Sequence, residues 1–232
     1  MPADRFRCPP RAELIAGLLP PTVAVAESAA GPPAAGPALF PAEAAAVRTA
    51  GPRRRAEFTA GRLCARAALA RLGVPAAPIL PGPAGEPQWP PGVTGSITHC
   101  SGYLACAVAR AADVAAIGID AEPDAGLPAG LIETVATGAE RAWIRRQAAA
   151  GPAVCWDRLL FSAKEAVGKL WYPLTGQWLG FHEAAVGLAA GGTFTVCLPG
   201  PGPAAGDGLA GRIRGRWLAR DGLIVTAVAL LA

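Results

Sequence analysis

The sequence has few charged residues, and this shortage excludes several classes of protein. Only 16% of the 232 residues are Asp, Glu, Lys or Arg, whereas 52% are hydrophobic. A chain with this balance is globular rather than disordered. Its net charge of +4 is too small to indicate nucleic-acid binding, so we expect no nucleic-acid partner. The mild basicity does suit an anionic ligand or an acidic protein partner.

Long hydrophobic runs are also missing. The longest clean apolar run covers residues 223–232, far short of the roughly 20 residues that a membrane helix needs. We therefore expect no membrane span and interpret this run as a core strand. A short apolar run at residues 14–19 is stopped by Pro20 and Pro21, so no secretory signal is expected.

Closely spaced cysteine pairs are a third absence. None of the six cysteines forms the Cys-x-x-C spacing that is typical of zinc and redox sites. Most of them lie in apolar runs, where a free thiol behaves as a small hydrophobic side chain. We therefore predict reduced, structural cysteines and a cytoplasmic location.

Apolar residues at helical spacing predict a helix over residues 154–171. Glu165 and Lys169 are four residues apart, so their side chains lie together on its surface, with Lys164 on a neighbouring face. Two interpretations are open at this point. The helix either presents an ordinary solvated face with a weak ion pair, or forms one wall of a functional site.

A row of arginines lies in a second helical stretch, which covers residues 43–72. Arg55, Arg62 and Arg66 fall near one helical face, and Arg54 lies beside it. Guanidinium groups bind phosphate oxygens in pairs, so the row suits a phosphate ligand. A basic, solvated helix is the alternative.

Two polar segments follow this helix. Residues 78–90 contain five prolines and form a long loop, a feature that is more often functional than idle. Gly95, Ser96, Thr98 and His99 then supply a predicted turn, two hydroxyls and an imidazole, which suit contact with an oxyanion or phosphate. A histidine without a catalytic role is the alternative.

A predicted buried strand over residues 115–119 leads into two carboxylates, Asp120 and Glu122. They are two residues apart, so on a strand they point to the same face. Like charges side by side are unfavourable unless a cation or hydrogen-bond donors offset them. Mg²⁺, bound through carboxylates and substrate phosphates, fits this pattern. A solvated strand end is the alternative.

The order of the predicted elements indicates an α+β fold. The first part of the chain has the pattern strand, helix, loop and strands. The second part has a helix over residues 138–150, the helix over residues 154–171, and antiparallel strands near residues 193–198, 211–219 and 223–231. This pattern allows two related halves with a site between them.

Three motifs, taken together, resemble successive signatures of the 4′-phosphopantetheinyl transferases. The motifs are Gly95-Ser96-Ile97-Thr98-His99, Ile117-Gly118-Ile119-Asp120-Ala121-Glu122 and Trp156-Asp157-Arg158-Leu159-Leu160-Phe161-Ser162-Ala163-Lys164-Glu165-Ala166-Val167-Gly168-Lys169. The resemblance is to the long, monomeric class that serves siderophore, polyketide and nonribosomal-peptide synthases. Arginines 54–66 and Gly85-Glu86-Pro87 add features of its enterobactin-type, actinobacterial branch.

This resemblance implies a pseudo-dimeric α+β fold, in which residues 1–112 and 113–232 form two similar halves. Each half would have an antiparallel sheet and a long helix, with the active site between them. The implied reaction transfers 4′-phosphopantetheine from coenzyme A to a serine of an acyl, peptidyl or aryl carrier protein. It needs Mg²⁺, or Mn²⁺ in its place, and releases 3′,5′-ADP. The alternatives are a non-catalytic module that binds coenzyme A or a carrier protein, and a Mg²⁺-dependent nucleotide phosphohydrolase.

The resemblance also implies roles for individual residues. Asp120, Glu122 and Glu165 would hold the metal ion, and Glu165 would serve as the base for the serine hydroxyl. Lys169 would stabilise the leaving phosphate, and His99 would contact the pyrophosphate.

Further residues would line the coenzyme A site. They are Arg54, Arg62, Gly85, Glu86, Pro87, Ser96, Thr98 and Lys164. The two arginines would meet the 3′-phosphoadenosine, the segment 85–87 would line the adenine pocket, and Lys164 would help to hold the phosphates. The loop at residues 81–84 has no basic residue, although relatives often carry one, so one contact to the 3′-phosphate is expected to be absent. Carrier proteins are expected to dock near residues 127–132 and 170–178.

Overall fold

The computed structural model describes residues 14–28, 39–151, 154–198 and 213–232. Within these ranges the chain forms eight β-strands in two antiparallel sheets, together with five α-helices. The strands are β1 (Ala24–Ser28), β2 (Val93–Cys100), β3 (Tyr103–Arg110), β4 (Val114–Pro123), β5 (Ala185–Ala189), β6 (Thr193–Cys197), β7 (Arg214–Arg220) and β8 (Leu223–Leu231). The helices are α1 (Pro41–Ala46), α2 (Pro52–Arg71), α3 (Leu131–Val135), α4 (Gly138–Ala150) and α5 (Trp156–Thr175). The predicted α+β class is confirmed.

Each sheet packs against one long helix. The first sheet has the strand order β1-β3-β2 and packs against α2, and the second has the order β4-β8-β7-β6-β5 and packs against α5. Both helices are 20 residues long. This arrangement agrees with two similar halves. The predicted division at residues 112/113 stays a prediction, and one apolar core cluster combines side chains from both sides of it, including Val25, Ile119 and Val225.

The two sheets meet where the edge strand β2 lies beside the edge strand β4. Two hydroxyl side chains of β2 accept hydrogen bonds from backbone N–H groups of β4. Ser96 Oγ accepts from Ile119 N at 3.2 Å, and Thr98 Oγ1 accepts from Ala121 N at 3.0 Å. These hydroxyls satisfy donors that an open sheet edge would leave unpaired. They also bring β2 next to the carboxylates at the end of β4.

Helix α5 packs closely onto β4 because a glycine lies between them. A Cβ atom at Gly118 would collide with the backbone carbonyl of Ala166, so only glycine allows this approach. The helix extends four residues past its predicted end at 171. Pro173 lies inside its last turns, and the helix ends where Gly176 adopts a left-handed conformation with φ of 68°. Residues 173–175 therefore belong to the helix, beyond the end that the apolar spacing predicted.

Two local predictions were wrong. Residues 95–99 form part of strand β2 and not a turn, because they pair in register with β3. Strand β5 was not predicted, since its sequence contains alanine and glycine, which have low strand propensity. Only Val186 and Leu188 of β5 are buried, and they alternate as on a half-exposed edge strand. No helix in the described ranges is long and apolar enough to cross a membrane.

Candidate active site

A cavity of about 630 Å³ opens between the two halves. Its walls are the loop at residues 84–89, strand β2, helix α5 and the segment at residues 178–181. Several predicted site residues line it, namely Gly85, Glu86, Pro87, Ser96, Lys164, Glu165 and Lys169. The loop wall is a tight turn, which Glu86 stabilises by accepting a hydrogen bond from Ala84 N at 2.9 Å. The glutamate is thus bonded within its own loop.

Asp120 lies buried at the junction between the halves, with 4% of its surface exposed. Its Oδ1 atom accepts hydrogen bonds from Lys169 Nζ at 2.7 Å and from Thr98 Oγ1 at 3.3 Å. Its Oδ2 atom is buried and has no hydrogen-bond partner among the described residues. A buried carboxylate oxygen without a partner is costly unless a cation or donor meets it. This oxygen therefore has the chemistry of a metal ligand.

Besides burial, the charge of Asp120 acts on both Glu165 and Glu122 and raises the pKa of each. Burial raises the pKa of Glu165, and the charges of Asp120 and Glu122 raise it further, against the opposing effect of Lys169. Burial and then Asp120 raise the pKa of Glu122 in the same way, against the effect of Arg158. Such mutual shifts arise when carboxylates lie close together. A cation would favour the ionised forms of Glu122 and Glu165.

Arg158 holds Glu122 and the loop that follows it. Its Nη1 atom donates to Glu122 Oε2 at 2.8 Å, while Nε and Nη2 donate to the carbonyl oxygens of Ala125 and Gly126 at 2.9 and 3.0 Å. In the part of the chain that the structure describes, no three carboxylate, imidazole or thiolate side chains are arranged to hold a metal ion. Electrostatic interactions connect Asp120, Glu122 and Glu165. Their assignment as a set of metal ligands remains a prediction.

Lys164 has partners that differ from the predicted phosphate contact. Its ammonium donates to the carbonyl oxygen of Val135 at 3.0 Å, to Glu140 Oε2 at 2.8 Å and to the carbonyl oxygen of Phe181. The side chain is 1% exposed. An ammonium has three N–H groups, so none is left for a phosphate. The predicted phosphate contact of Lys164 stays a prediction, and the structure shows its ammonium bonded inside the protein.

The arginine row of α2 is only partly a surface feature. Arg62 is buried, donates through Nε to the carbonyl oxygen of Ile79 at 2.7 Å and lies over the ring of Phe58 at 4.0 Å. Burial lowers the pKa of Arg62 to about 10. Arg66 forms a buried ion pair with Glu43. These contacts make both arginines part of the packing of the first half.

Arg54 remains exposed, with 60% of its side chain accessible, and does not line the large cavity. His99 also lies outside that cavity. Successive side chains of a strand point to opposite faces, so His99 is exposed while Thr98 is buried. His99 instead lines a smaller cavity of about 240 Å³, together with Arg53 and Glu57 at the start of α2. The predicted contacts of Arg54 and His99 stay predictions.

Several residues that line the cavity were not predicted to do so, although two of them fall in the range 170–178 that was expected to receive carrier proteins. Tyr172 and Trp178, whose ring centroids are 5.3 Å apart, line the cavity, as does Phe181. No pattern marks Trp178 and Phe181, because an aromatic residue in a loop has no periodic neighbours, and Tyr172 lies in the last turns of α5, beyond the predicted end of the helix. Glu140 could have been found, since Thr137 and Glu140 have the Thr-x-x-Glu spacing of a capping box, and both of its hydrogen bonds are present.

Comparisons with known proteins show the family of this chain. The family described as "4'-phosphopantetheinyl transferase N-terminal domain" matches residues 42–109, and the family described as "4'-phosphopantetheinyl transferase superfamily" matches residues 116–210. The chain is 54% identical over 195 residues to 4′-phosphopantetheinyl transferase Svp of Streptomyces mobaraensis. The aligned residues make up 84% of this chain and 79% of that protein.

Two other relatives extend the comparison. The 4′-phosphopantetheinyl transferase PptT of Mycobacterium tuberculosis is 44% identical over 226 residues, which is 94% of this chain and 98% of that protein. Enterobactin synthase component D of Salmonella typhimurium is 32% identical over 188 residues, which is 80% of this chain and 76% of that protein. The two family matches and these identities over most of its length show that the chain belongs to the 4′-phosphopantetheinyl transferase superfamily and is an enzyme of that kind.

Proposed function

We propose that this enzyme transfers the 4′-phosphopantetheine group of coenzyme A to a serine hydroxyl of an acyl, peptidyl or aryl carrier protein and releases 3′,5′-ADP. One observation carries the proposal. Asp120, Glu165 and Lys169 come together beside a cavity of about 630 Å³ between the halves, and Asp120 keeps a buried carboxylate oxygen without a partner in the described chain. A site of this kind suits a phosphorylated ligand bound together with a divalent cation.

Mg²⁺, with Mn²⁺ as the alternative, fits the donor set. Carboxylate oxygens are the ligands that hard cations prefer, and the raised pKa values of Glu122 and Glu165 come from burial and from charge repulsion that a cation would relieve. In the proposal, Asp120, Glu122 and Glu165 hold the ion. When bound, the ion supplies positive charge to the pyrophosphate of coenzyme A.

Glu165 and Lys169 perform the proton and charge chemistry in this proposal. Glu165 accepts the proton of the carrier serine hydroxyl, a role that suits a carboxylate whose pKa is raised by its surroundings. The serine oxygen forms a bond to the β-phosphorus as the bond from that phosphorus to the oxygen bridging to the α-phosphate breaks. Lys169 offers positive charge to the 3′,5′-ADP that leaves.

The shape of the cavity suits the pantetheine arm. Trp89, Ile97, Tyr172, Leu179 and Phe181 give it an apolar lining, which complements an arm made largely of methyl, methylene and amide groups. In the same proposal Arg54 contacts the 3′-phosphoadenosine, His99 contacts the pyrophosphate, and residues 85–87 line the adenine pocket.

The carrier protein is proposed to dock at the mouth of this cavity. Trp178 lines the cavity and is 75% exposed, which is unusual for a large aromatic side chain. A carrier that presents its serine there would bring the hydroxyl towards Glu165. We further propose carrier proteins of siderophore, polyketide or nonribosomal-peptide synthesis as partners, and a monomeric enzyme in the cytoplasm. Cys64 and Cys106 are both buried, and burial raises the pKa of each thiol, which suits a reducing location.

Mass spectrometry of a carrier domain tests the proposed function. The enzyme is incubated with coenzyme A, Mg²⁺ and an apo carrier domain, and a second sample contains a carrier whose serine is replaced by alanine. We expect the apo carrier to gain the mass of one phosphopantetheine and the alanine variant to gain none. Binding without a gain in mass would indicate a non-catalytic module. Breakdown of coenzyme A without a gain in mass would indicate a phosphohydrolase.

A further inference from the structure

A buried ion pair lies behind the wall of the large cavity. Lys164 Nζ and Glu140 Oε2 are 2.8 Å apart, and the two side chains are 1% and 8% exposed. Lys164 also donates to the carbonyl oxygens of Val135, at the end of α3, and of Phe181, in the cavity wall. Its three N–H groups are thus all used by the protein.

Glu140 is bonded as completely as its partner. Its Oε1 atom accepts from Val186 N at 2.8 Å, at the start of β5, and its Oε2 atom accepts from Thr137 N at 2.7 Å, at the start of α4. The pair therefore holds the connection between α5 and β5 at two points. Lys164 holds it at Phe181, and Glu140 holds it where the next strand begins.

This connection forms a wall of the cavity without regular secondary structure. Residues 177–184 are described by the structure and belong to no helix or strand, so they have no regular backbone ladder to fix their position. Residues 178–181 nevertheless line the cavity. The ring of Phe181 lies 5.8 Å from the ring of Phe161, which places it against α5. A loop that forms a binding wall supports tighter binding when its conformation is set before the ligand arrives, because less conformational entropy is then lost on binding.

We infer that Lys164 and Glu140 are positioning residues that hold the wall at residues 178–181 against the pantetheine arm of coenzyme A, and thereby set the preference of the site for ligands that carry this arm. The inference rests on the proposed function, because it takes coenzyme A as the ligand of the cavity. In this inference Lys164 affects the pantetheine arm indirectly, by holding Phe181, and makes no contact with the phosphates.

Two ligands separate these roles. Coenzyme A carries the arm, whereas 3′-phosphoadenosine 5′-diphosphate carries the same phosphates without it. Calorimetric titrations of the full chain with each ligand, in the presence of Mg²⁺, give the ratio of the two dissociation constants. A phosphate contact affects both ligands equally, and a positioning role affects coenzyme A alone.

We expect Lys164→Met to weaken binding of coenzyme A by at least about tenfold and binding of the diphosphate by less than about twofold. Glu140→Gln should change the ratio in the same direction, although Glu140 lies behind the wall and does not reach the ligand. Lys164→Arg keeps the positive charge and hydrogen-bond donors, so it should restore much of the ratio. If Lys164→Met does not fold, Glu140→Gln and Lys164→Arg carry the test by themselves.

Thr137→Val is the matched control. Thr137 Oγ1 accepts a hydrogen bond from Glu140 N at 3.3 Å, so this variant weakens the cap of α4 and leaves the contacts of the Lys164 ammonium in place. It should lower the unfolding temperature without changing the ratio of dissociation constants. Retained binding of the diphosphate by each variant shows that the rest of the site is folded.

If Lys164→Met weakened the binding of both ligands equally, the inference would be overturned, and Lys164 would be assigned a phosphate contact instead. An unchanged ratio in Glu140→Gln would overturn it as well. Neither outcome affects the conclusion on transfer by the unaltered enzyme, because transfer is measured separately from the mass of the carrier domain. A chain that leaves the mass of the carrier unchanged would refute the proposed function itself.

Discussion

The Lys169 ammonium lies 2.7 Å from Oδ1 of Asp120 and 3.2 Å from the carbonyl oxygen of Ile119. Lys169 thus bonds a residue 49 positions away, across the junction between helix α5 and strand β4. The ammonium provides part of the positive charge that the buried carboxylate requires. In the proposed reaction, the metal ion and Lys169 therefore share Asp120.

We expect Lys169→Met to slow transfer and to tighten the binding of Mg²⁺. The rate should fall by about 10² to 10³, the usual cost of removing one group that stabilises developing charge. The Mg²⁺ concentration for half-maximal activity should also fall, because a positive charge next to the carboxylates is removed. Both quantities come from transfer rates measured over a range of Mg²⁺ concentrations. Lys169→Arg keeps the charge and is the control. A higher Mg²⁺ requirement in Lys169→Met would contradict the shared role.

Glu165→Gln should abolish transfer and stabilise the folded protein. Burial, and then the charges of Asp120 and Glu122, raise the pKa of Glu165 above its ordinary value of 4.5. The folded state therefore binds this proton more tightly than the unfolded chain does. The associated stability is present below pH 4.5 and is lost as the pH rises through the folded-state pKa. The glutamine variant avoids this loss.

Urea unfolding in the presence of a chelator measures the effect. At pH 8 we expect Glu165→Gln to raise the free energy of unfolding by about 1 kcal/mol, and the gain should shrink towards pH 4. Glu133→Gln, at an exposed position of α3, should change neither stability nor transfer. Near-normal turnover by Glu165→Gln would rule out its role as base.

Sequence periodicity was sufficient to predict the long helices and most strands. Helix α4 and strand β8 begin and end where they were predicted, because α4 has a polar N-cap and β8 is apolar except for Thr226. The placement of Asp120 and Glu122 on the same face of β4 also followed from strand geometry. These features depend on neighbours in sequence, which is why the sequence alone was informative.

Long-range partners could not be predicted in this way. Lys169 was expected beside Glu165 because they are four residues apart, yet its hydrogen bonds go to β4. His99 was assigned to a turn, and only the register of β2 with β3 shows which face it occupies. Lys164 offered one signal that was overlooked. It lies four residues after Leu160 and three before Val167, both fully buried, so helical spacing places it on the apolar face.

Arg158→Ala should destabilise the protein. Three hydrogen bonds from its guanidinium hold Glu122 and the loop at residues 125–126, and the side chain is 16% exposed. Loss of these charge-assisted bonds should cost about 2 kcal/mol in the free energy of unfolding, measured by urea denaturation. Arg145→Ala on the exposed face of α4 is the control and should have little effect. If Arg158→Ala and Arg145→Ala were equally stable, the proposed role of Arg158 in holding Glu122 and the loop at residues 125–126 would be contradicted.

Arg62 and Arg54 should behave differently when each is replaced by alanine. Arg62 is buried against Phe58 and bonded to Ile79, so Arg62→Ala should lower the free energy of unfolding by about 2 kcal/mol. Arg54 is exposed, so Arg54→Ala should leave stability unchanged and weaken coenzyme A binding through lost charge. Thermal unfolding and calorimetric titration of both variants separate the two effects. Unchanged coenzyme A binding in Arg54→Ala would return Arg54 to the role of a solvated side chain.

Gly118→Ala should strongly destabilise the enzyme. The new Cβ would collide with the carbonyl of Ala166 and press on the backbone N of Leu170, so α5 would have to move away from the sheet. Overpacking of this kind costs about 3 kcal/mol, and the shift would also carry Glu165 and Lys169 away from Asp120. Gly138→Ala is the matched control, since its added methyl group meets no atom within 4 Å at the start of α4. Urea denaturation and the carrier assay should show losses of stability and transfer in Gly118→Ala alone. If Gly118→Ala kept normal stability, the close contact of β4 with α5 would not be what sets the geometry of the site.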